Sequence, residues 1–321
     1  MKQKSLSKLI GVVGLCAVFY LTGCREPGWR FIVTGDSRDG DNGVNTVILG
    51  ELADEIVDRQ VDFVLISGDL VNGYNEQAAL QSQLNTWIKT MQPVYDAGIG
   101  VYPVRGNHDV GEPAGVTAWN NTFRGAFALP DNGPTDENLL TYSFTHKNVF
   151  VIGLDQYIRV RQVNQAWLDM QLAANTQPHI FLFGHEPAFK TQHTACLDDY
   201  PDERDAFWAS IEKAGGRTYF CGHDHLYNHA RVDDDGEPSN DIHQYVVGTA
   251  GAPLRNWSGQ YDGVNSDYTV ENIYHASEFG YCLVVVNGLD VTITWFERVR
   301  PGKYKAKERW RYTAAAAVTQ R

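Results

Sequence analysis

Residues 61–72 read VDFVLISGDLVN, and this stretch decides the fold class. Its first half is a nearly continuous apolar run of strand length, which is typical of a strand buried on both faces of a sheet. The run ends at Gly68-Asp69, so a carboxylate follows directly after the strand. Glycine allows the backbone to turn sharply at such a point. We therefore predict a buried strand that presents Asp69 at one edge of a sheet.

The same junction occurs five times along the chain. Apolar runs at 30–34, 99–104, 179–183 and 217–221 also end in a glycine that is followed by polar side chains. The polar residues that follow the five strands are Asp36, Asp69, Asn107, His108, His185, His223 and His225. In open α/β sheets the ligand crevice lies at the carboxyl ends of the strands, so we expect these side chains to meet there.

The spacing of apolar residues predicts the remaining elements. Residues 44–59 and 75–97 have apolar positions at helical spacing, and their alternation with the strands indicates βαβ units and a mostly parallel sheet. Further strands and helices are expected at 141–146, 149–154, 162–174, 201–214, 244–247, 281–286 and 291–297. We predict an irregular insertion at 111–140 and a poorly ordered C-terminal tail at 301–321.

The composition is that of a soluble globular protein. The chain has 321 residues, of which 43% are hydrophobic and 21% are charged, and its formal net charge is −12. An acidic surface argues against general nucleic-acid binding, because that binding depends on neutralising phosphates. We therefore expect no nucleic-acid partner.

The N-terminus has the pattern of an export signal. Lys2, Lys4 and Lys8 precede an apolar run at 9–21, which is too short for a comfortable membrane span. The following Leu21-Thr22-Gly23-Cys24 resembles the bacterial lipobox. An uncleaved anchor or an ordinary signal peptide is the alternative reading.

The lipobox resemblance implies removal of residues 1–23 and lipidation of Cys24. The net charge would then change from −12 to −15, since the removed segment holds three lysines and no acidic residue. Arg25 follows the cysteine, where an aspartate would indicate inner-membrane retention. We therefore expect a lipid-anchored protein of the bacterial cell envelope, with the outer membrane favoured and the folded domain outside the cytoplasm.

The residues at the strand ends suit a metal site. Imidazoles, carboxylates and an amide oxygen form a mixed set of ligands for ions such as Zn, Mn or Fe. The set contains no thiolate, which argues against a structural zinc site. A carboxylate such as Asp69 can bridge two cations, and two cations can clamp the attacking and leaving oxygens of a phosphoryl transfer.

Five motifs together resemble those of the calcineurin-like metallophosphoesterases, a family that includes the purple acid phosphatases. In order they are Gly35-Asp36-Ser37-Arg38, Gly68-Asp69-Leu70-Val71-Asn72, Gly106-Asn107-His108-Asp109, Gly184-His185-Glu186 and Gly222-His223-Asp224-His225. The resemblance extends from about residue 31 to 292 and implies one domain at 24–300. It also implies an α/β fold, a β-sandwich of two mixed sheets flanked by α-helices.

The resemblance implies a role for each motif residue. One metal would be held by Asp36, Asp69 and His225, and the second by Asp69, Asn107, His185 and His223. A metal-bridging hydroxide would attack phosphorus in line. His108, oriented by Asp109, would protonate the leaving oxygen or bind the phosphate. The expected catalytic residues are thus His108, Asp109 and Arg38, and the expected substrate contacts are Arg38, Asn107 and His108.

Arg38 departs from the family pattern, which has a histidine ligand of the first metal at this position. Three explanations stay open. Asn72 or a water completes the first metal shell, the first site is weak, or the guanidinium replaces metal charge and binds the phosphate. We expect both metals to bind, asymmetrically, with Arg38 on the phosphate.

The sequence therefore predicts a metal-dependent phosphoesterase that hydrolyses a mono- or diester, either a small molecule or a lipid head group. The alternative is a membrane-anchored binding protein with an impaired site. Arg38 alone favours that alternative, because the six other metal-binding positions are present.

Overall fold

The computed structural model describes residues 28–111, 115–263 and 267–314. The predicted signal and Cys24 lie outside the described residues. The strands are β1 (Trp29–Thr34), β2 (Phe63–Ile66), β3 (Gly100–Pro103), β4 (Tyr142–His146), β5 (Val149–Gly153), β6 (His179–Phe183), β7 (Thr218–Cys221), β8 (Tyr227–Asp233), β9 (Ile242–Val247), β10 (Thr269–Ala276), β11 (Gly280–Asn287), β12 (Asp290–Arg300) and β13 (Lys303–Thr313). The helices are α1 (Thr46–Asp58), α2 (Gln77–Asp96), α3 (Gly115–Thr122), α4 (Gln165–Ala174) and α5 (Pro201–Lys213).

The strands form two mixed sheets. Sheet 1 has the order β13-β12-β11-β1-β2-β3, in which β1, β2 and β3 are parallel and the other neighbours are antiparallel. Sheet 2 has the order β10-β8-β9-β7-β6-β5-β4, with a parallel centre from β9 to β5. The predicted sandwich of two mixed sheets is confirmed. The single mostly parallel sheet suggested by the alternation alone is wrong, because the parallel units divide between two sheets.

Aromatic residues join the two sheets face to face. Phe31 of β1 stacks on Phe63 of β2 with ring centroids 4.7 Å apart, and it meets the ring of Phe181 of β6 edge-on at 5.1 Å. All three side chains are fully buried. Burial of such rings is the main stabilising contribution to a core of this kind.

Helices cover the outer face of each sheet. On sheet 1, the hydroxyl of Tyr281 in β11 donates to Glu55 of α1 at 2.5 Å. On sheet 2, the rings of Phe207 and Trp208 in α5 pack edge-on against Tyr219 of β7. The layers are therefore helix, sheet, sheet and helix. Among the described residues, the helices all fall short of the length and apolar character that a membrane crossing needs.

The predicted disorder of 301–321 is wrong for β13. This strand pairs with β12 along its length, and Trp310 stacks on His243 of β9 with ring centroids 3.8 Å apart. The hydroxyl of Tyr227 in β8 donates to Glu308 at 2.9 Å. Half-buried Tyr304, Trp310 and similar residues alternate with exposed basic ones. Because the exposed positions are mostly basic, the segment was interpreted as polar and its period-2 pattern was not recognised as a strand.

Three further elements were missed. The insertion at 111–140 contains α3, in which Trp119 is fully buried and donates to the carbonyl of Leu139 at 3.0 Å. The other two are β8 and β10. Strand β8 buries the polar residues Asn228 and His229, so it lacks the apolar signal of a core strand. The hydrogen-bond partners of these two residues lie on other strands, β9, β10 and β13, and the local sequence cannot reveal them.

Removing β13 tests its place in the core. We expect a chain that ends at residue 302 to unfold at lower urea concentration, because Tyr227 loses its hydrogen bond to Glu308 and His243 loses its stacking contact with Trp310. Truncating a fully buried Trp costs about 3–5 kcal/mol, and this deletion removes the half-buried Trp310 together with Tyr304, Tyr312 and the pairing with β12, so the free energy of unfolding should fall by about 3 kcal/mol. The control is a chain that ends at residue 314, which keeps β13 whole. Equal urea midpoints for the two chains would show that β13 adds nothing to the core.

Candidate metal centre

The structure brings the predicted side chains together at the carboxyl ends of five strands. Those strands are β1, β2, β3, β6 and β7, from both sheets. The buried members of the group are Asp36, Asp69, His185, His223 and His225. Asn107 is exposed and His108 is half-buried, so these two form the side of the site that faces solvent. Carboxylate and imidazole atoms of Asp36, Asp69 and His185 lie within 4.8 Å of one another.

Three of these residues have an uncommon backbone conformation. The φ angles of Asp36, Asp69 and His223 are 61°, 50° and 69°, in the left-handed region that residues other than glycine rarely adopt. The backbone N–H of Asp36 donates to the carbonyl of Gly68 at 2.9 Å, and this bond helps to hold the turn. Such strain persists where the surroundings over-determine it, and it concentrates at functional sites.

Two motif glycines are required by close approach and not by a turn. A Cβ atom on Gly106 would lie 2.2 Å from Oδ1 of Asp69, and one on Gly222 would lie 2.2 Å from Oδ2 of Asp36. Neither glycine has a positive φ angle. The expectation that each motif glycine supplies a turn that only glycine allows is therefore wrong for these two, and Gly35 and Gly184 also lack a positive φ angle. It holds for Gly68, whose φ angle is 88°.

We call the group formed by Asp69, Asn107, His185 and His223 the His185 subsite. Oδ1 of Asn107 lies 3.1 Å from Nε2 of His185 and 3.1 Å from Nδ1 of His223. The two imidazole nitrogens are 3.3 Å apart, and Oδ1 of Asp69 is 3.5 Å from Nε2 of His185. Asn107, His185 and His223 thus converge, and Asp69 adjoins them through His185.

The opposite nitrogen of the His185 ring sets its protonation. Nδ1 of His185 lies 2.7 Å from the carbonyl oxygen of Ser67, which can only accept, so this nitrogen carries the proton. A backbone carbonyl of this kind fixes the tautomer of a metal-binding histidine. His185 therefore directs the lone pair of Nε2 into the His185 subsite. Nε2 of His223 lies 3.4 Å from Oε2 of Glu186 without a hydrogen bond between them.

A cation fits the His185 subsite. Nε2 of His185 and the oxygens of Asn107 and Asp69, which lie 3.1 and 3.5 Å from it, are electron-pair donors, and they repel one another unless a positive charge lies among them. Burial, followed by the neighbouring His185, holds the pKa of His223 well below its ordinary value, so this ring is neutral and available as a ligand.

The second group, Asp36, Asp69 and His225, is called the His225 subsite, and it is different. Nδ1 of His225 lies 3.0 Å from the carbonyl of Pro253, so Nε2 faces the site, 3.6 Å from Oδ1 of Asp36. Arg38 enters this subsite. Its Nη2 is 3.3 Å from Nε2 of His225, and its Nε donates to Oδ2 of Asp69 at 3.2 Å. Burial, followed by Arg38, lowers the pKa of His225 to about 4.

Asn72 does not complete the first metal shell in this structure. Its side-chain amide donates to the carbonyl of Gly40 at 2.8 Å. Its own carbonyl lies 2.8 Å from Nδ1 of His108 and so orients that ring.

The expectation that Asp109 orients His108 is wrong. The Asp109 carboxylate accepts three backbone N–H groups, from Gly106 at 2.8 Å and from Leu70 and Val71 at 3.2 Å each. It therefore joins the loops that follow β2 and β3. The local sequence could not show this, since the carbonyl of Asn72 that binds the His108 ring comes from the other loop.

Sequence reasoning also missed His193. Its ring centroid is 4.5 Å from that of His223. The backbone N–H groups of Gln192 and His193 donate to Asp224 at 3.0 and 2.9 Å, so the middle residue of the last motif holds this segment over the site. A lone histidine outside the motifs carries no signal of its own in one sequence.

Comparison with known proteins supports the motif assignment. The sequence profile of the calcineurin-like phosphoesterases matches residues 30–227. No curated protein sequence matches the chain.

Several solved structures are similar. Purple acid phosphatase PPD1 from yellow lupin (Lupinus luteus) seeds has a TM-score of 0.69 at 14% identity, covering 89% of this chain and 54% of that one. This chain thus spans about half the length of that phosphatase. A dimetal phosphatase from Danio rerio gives a TM-score of 0.56 at 13% identity, covering 90% and 100%. GAP50, the anchor in the inner membrane complex of Plasmodium, gives 0.63 at 13%, covering 91% and 90%. At these identities the likeness shows the fold alone.

Metal binding should stabilise the fold. After removal of metals with a chelator, we expect Mn²⁺ or Zn²⁺ at about 100 times its Kd to add about 2.7 kcal/mol to the free energy of unfolding and raise Tm by about 5 °C. Asp69→Asn should reduce the rise, because it weakens a shared ligand while asparagine tolerates the left-handed backbone. The matched control is Asp54→Asn on the exposed face of α1. An equal rise in both variants would place the ion elsewhere.

Proposed function

Because the chain belongs to the calcineurin-like phosphoesterase family, we propose that it is a metal-dependent hydrolase of phosphate mono- or diesters. The observation that carries the proposal is the His185 subsite, where Asn107, His185 and His223 converge next to Asp69 and near the half-buried His108. Its substrate is a phosphate ester, either a small molecule or a lipid head group.

The His185 subsite would hold a Zn, Mn or Fe ion through Asp69, Asn107, His185 and His223. A cation of this kind lowers the pKa of bound water and polarises a phosphoryl oxygen. The chain's own residues prepare the site for it. The carbonyl of Ser67 holds the His185 imidazole with the lone pair of Nε2 inward.

His108 is the proposed general acid. The carbonyl of Asn72 holds its Nδ1, so Nε2 is the ring atom left to meet the substrate. The ring is half-buried at the solvent side of the site, where a leaving group would depart. A positioned imidazole that protonates a leaving oxygen typically contributes 10²–10⁴-fold to the rate.

A binding function is the second candidate, because the Arg38 guanidinium lies in the His225 subsite. Guanidinium groups bind phosphate through paired N–H donors. A protein that holds a phosphate without cleaving it would use the same contacts. The assay below separates the two functions.

We also propose that the protein is exported and anchored through lipidated Cys24. The support is the sequence pattern of residues 1–24, with basic residues, an apolar run and a lipobox-like cysteine in order. The folded domain would then act at the cell envelope.

The enzyme proposal predicts metal-dependent turnover of chromogenic phosphate mono- or diesters. We expect the metal-free protein to be inactive and to regain activity with Zn²⁺, Mn²⁺ or Fe²⁺, whereas Asp69→Asn should lose at least about 10²-fold in kcat. The ester that is hydrolysed faster, the monoester or the diester, would show to which of these two classes the substrate belongs. A folded protein that binds phosphate but turns over no ester with any of the ions would favour the binding function.

The same assay tests His108. We expect His108→Gln to lower kcat by about 10²–10⁴-fold on alkyl esters, whose leaving oxygen needs a proton, and by much less on p-nitrophenyl esters. An equal loss on both would mean that His108 only binds the phosphate.

The anchor predicts lipid labelling at one residue. In a bacterial host given radioactive palmitate, the chain should become labelled and remain with the membrane fraction, whereas Cys24→Ser should be unlabelled. Cys196→Ser is the matched control, because Cys196 is a buried free thiol of the folded domain. Label that persists in Cys24→Ser would overturn the lipobox interpretation.

A further inference from the structure

The two subsites of the centre differ in whether a cationic side chain already contacts the atoms that would bind a metal. In the His225 subsite, Nε2 of His225 faces Nη2 of Arg38 at 3.3 Å, and Oδ2 of Asp69 accepts from Nε of Arg38 at 3.2 Å. In the His185 subsite, the donor atoms face one another with no cationic side chain between them. The guanidinium therefore meets two of the three residues that would hold a first metal.

A metal ion and the Arg38 guanidinium compete for the same electron pairs. An ion on Nε2 of His225 would need the lone pair that Nη2 of Arg38 now approaches. It would also lie next to a group that stays positively charged at all ordinary pH values. Two positive charges in a buried site repel strongly, because little water screens them.

We propose that this is a one-metal centre in which the Arg38 guanidinium serves as the second positive charge. The proposal rests on the proposed function and sharpens it. One divalent ion occupies the His185 subsite, and Arg38 occupies the His225 subsite in place of the family's first metal. This replaces the expectation of two metals with Arg38 acting on the phosphate alone.

Arg38 is also placed to reach a substrate phosphate. Its side chain is 19% exposed, so it extends from the buried carboxylates to the solvent side of the site. Arginine has five N–H donors, and the contacts with Asp69 and His225 involve two of its three nitrogens. The third nitrogen remains for a phosphoryl oxygen. The ion and the guanidinium would then flank one phosphate from two sides.

Counting bound ions tests the proposal without any substrate. The protein of residues 1–321 is stripped with a chelator and titrated with Mn²⁺ alone, and bound metal is measured by elemental analysis and calorimetry. We expect one Mn²⁺ per wild-type chain. Arg38→His restores the histidine that the family pattern has at this position, and it should bind two, with the second Kd at least tenfold lower than for any second ion in the wild type. Electron paramagnetic resonance should show an isolated ion in the wild type and an exchange-coupled pair in Arg38→His.

Two histidines of a single motif provide a matched pair of controls. We expect His225→Ala to leave the wild-type count at one, because His225 faces Arg38 and not the ion. His223→Ala should abolish binding, because His223 belongs to the His185 subsite. In the Arg38→His background, His225→Ala should return the count from two to one. The ion counts of His225→Ala and His223→Ala test the one-metal centre even if Arg38→His does not fold.

The outcomes separate this inference from the proposed function. Two ions in the wild type, with one lost in His225→Ala, would overturn the one-metal centre and leave the metal-dependent hydrolase intact. One ion that is lost equally in His225→Ala and His223→Ala would also overturn it. No ion in a folded wild-type protein would overturn both.

Discussion

The close approach of electron-pair donors at the ends of strands from both sheets is the constraint on which the rest of this structure depends. Atoms of Asn107, His185 and His223 converge at 3.1–3.3 Å, and the carbonyl of Ser67 holds the proton of His185 on the side away from the site. This arrangement costs free energy in a protein without a bound cation, because lone pairs in a poorly solvated site repel. Much of the local architecture can be understood as what holds these atoms in place. The carbonyl of Ser67 and the strained turns at Asp36 and Asp69 serve that end.

A second layer of polar contacts ties the strand ends together. Asp109 accepts three backbone N–H groups from the loops after β2 and β3. Arg105, just before the third motif, donates to Asp155 at the end of β5 with bonds of 2.7 and 3.0 Å, and both side chains are fully buried. Removing one partner of such a buried ion pair is costly, because the charge of the other partner is then buried without a partner or water. Asp155 thus joins the two sheets at the site.

Arg38 gives the centre its asymmetry. The family pattern places a neutral ligand at this position, whereas a guanidinium brings a permanent charge and needs no metal to neutralise Asp69. Its contacts with Asp69 and His225 link the Asp69 carboxylate to the last motif. A substitution at one position therefore changes the character of a whole subsite, while the six other ligand positions and the fold stay as in the family.

The sequence by itself determined the motifs that identify the family, and through that resemblance the sandwich fold, together with the residues that gather at the strand ends. The motifs are local, since an apolar run, a glycine and a polar side chain lie within ten residues of one another. Only the tertiary structure decided which loop orients His108 and why Gly106 and Gly222 lack a side chain. It also showed that His193 and Glu186 lie next to His223 and that β13 pairs with β12. It also placed Arg38 between Asp69 and His225. The physical reason is that these contacts join residues from different strands and loops, and a single sequence carries no record of distance in space.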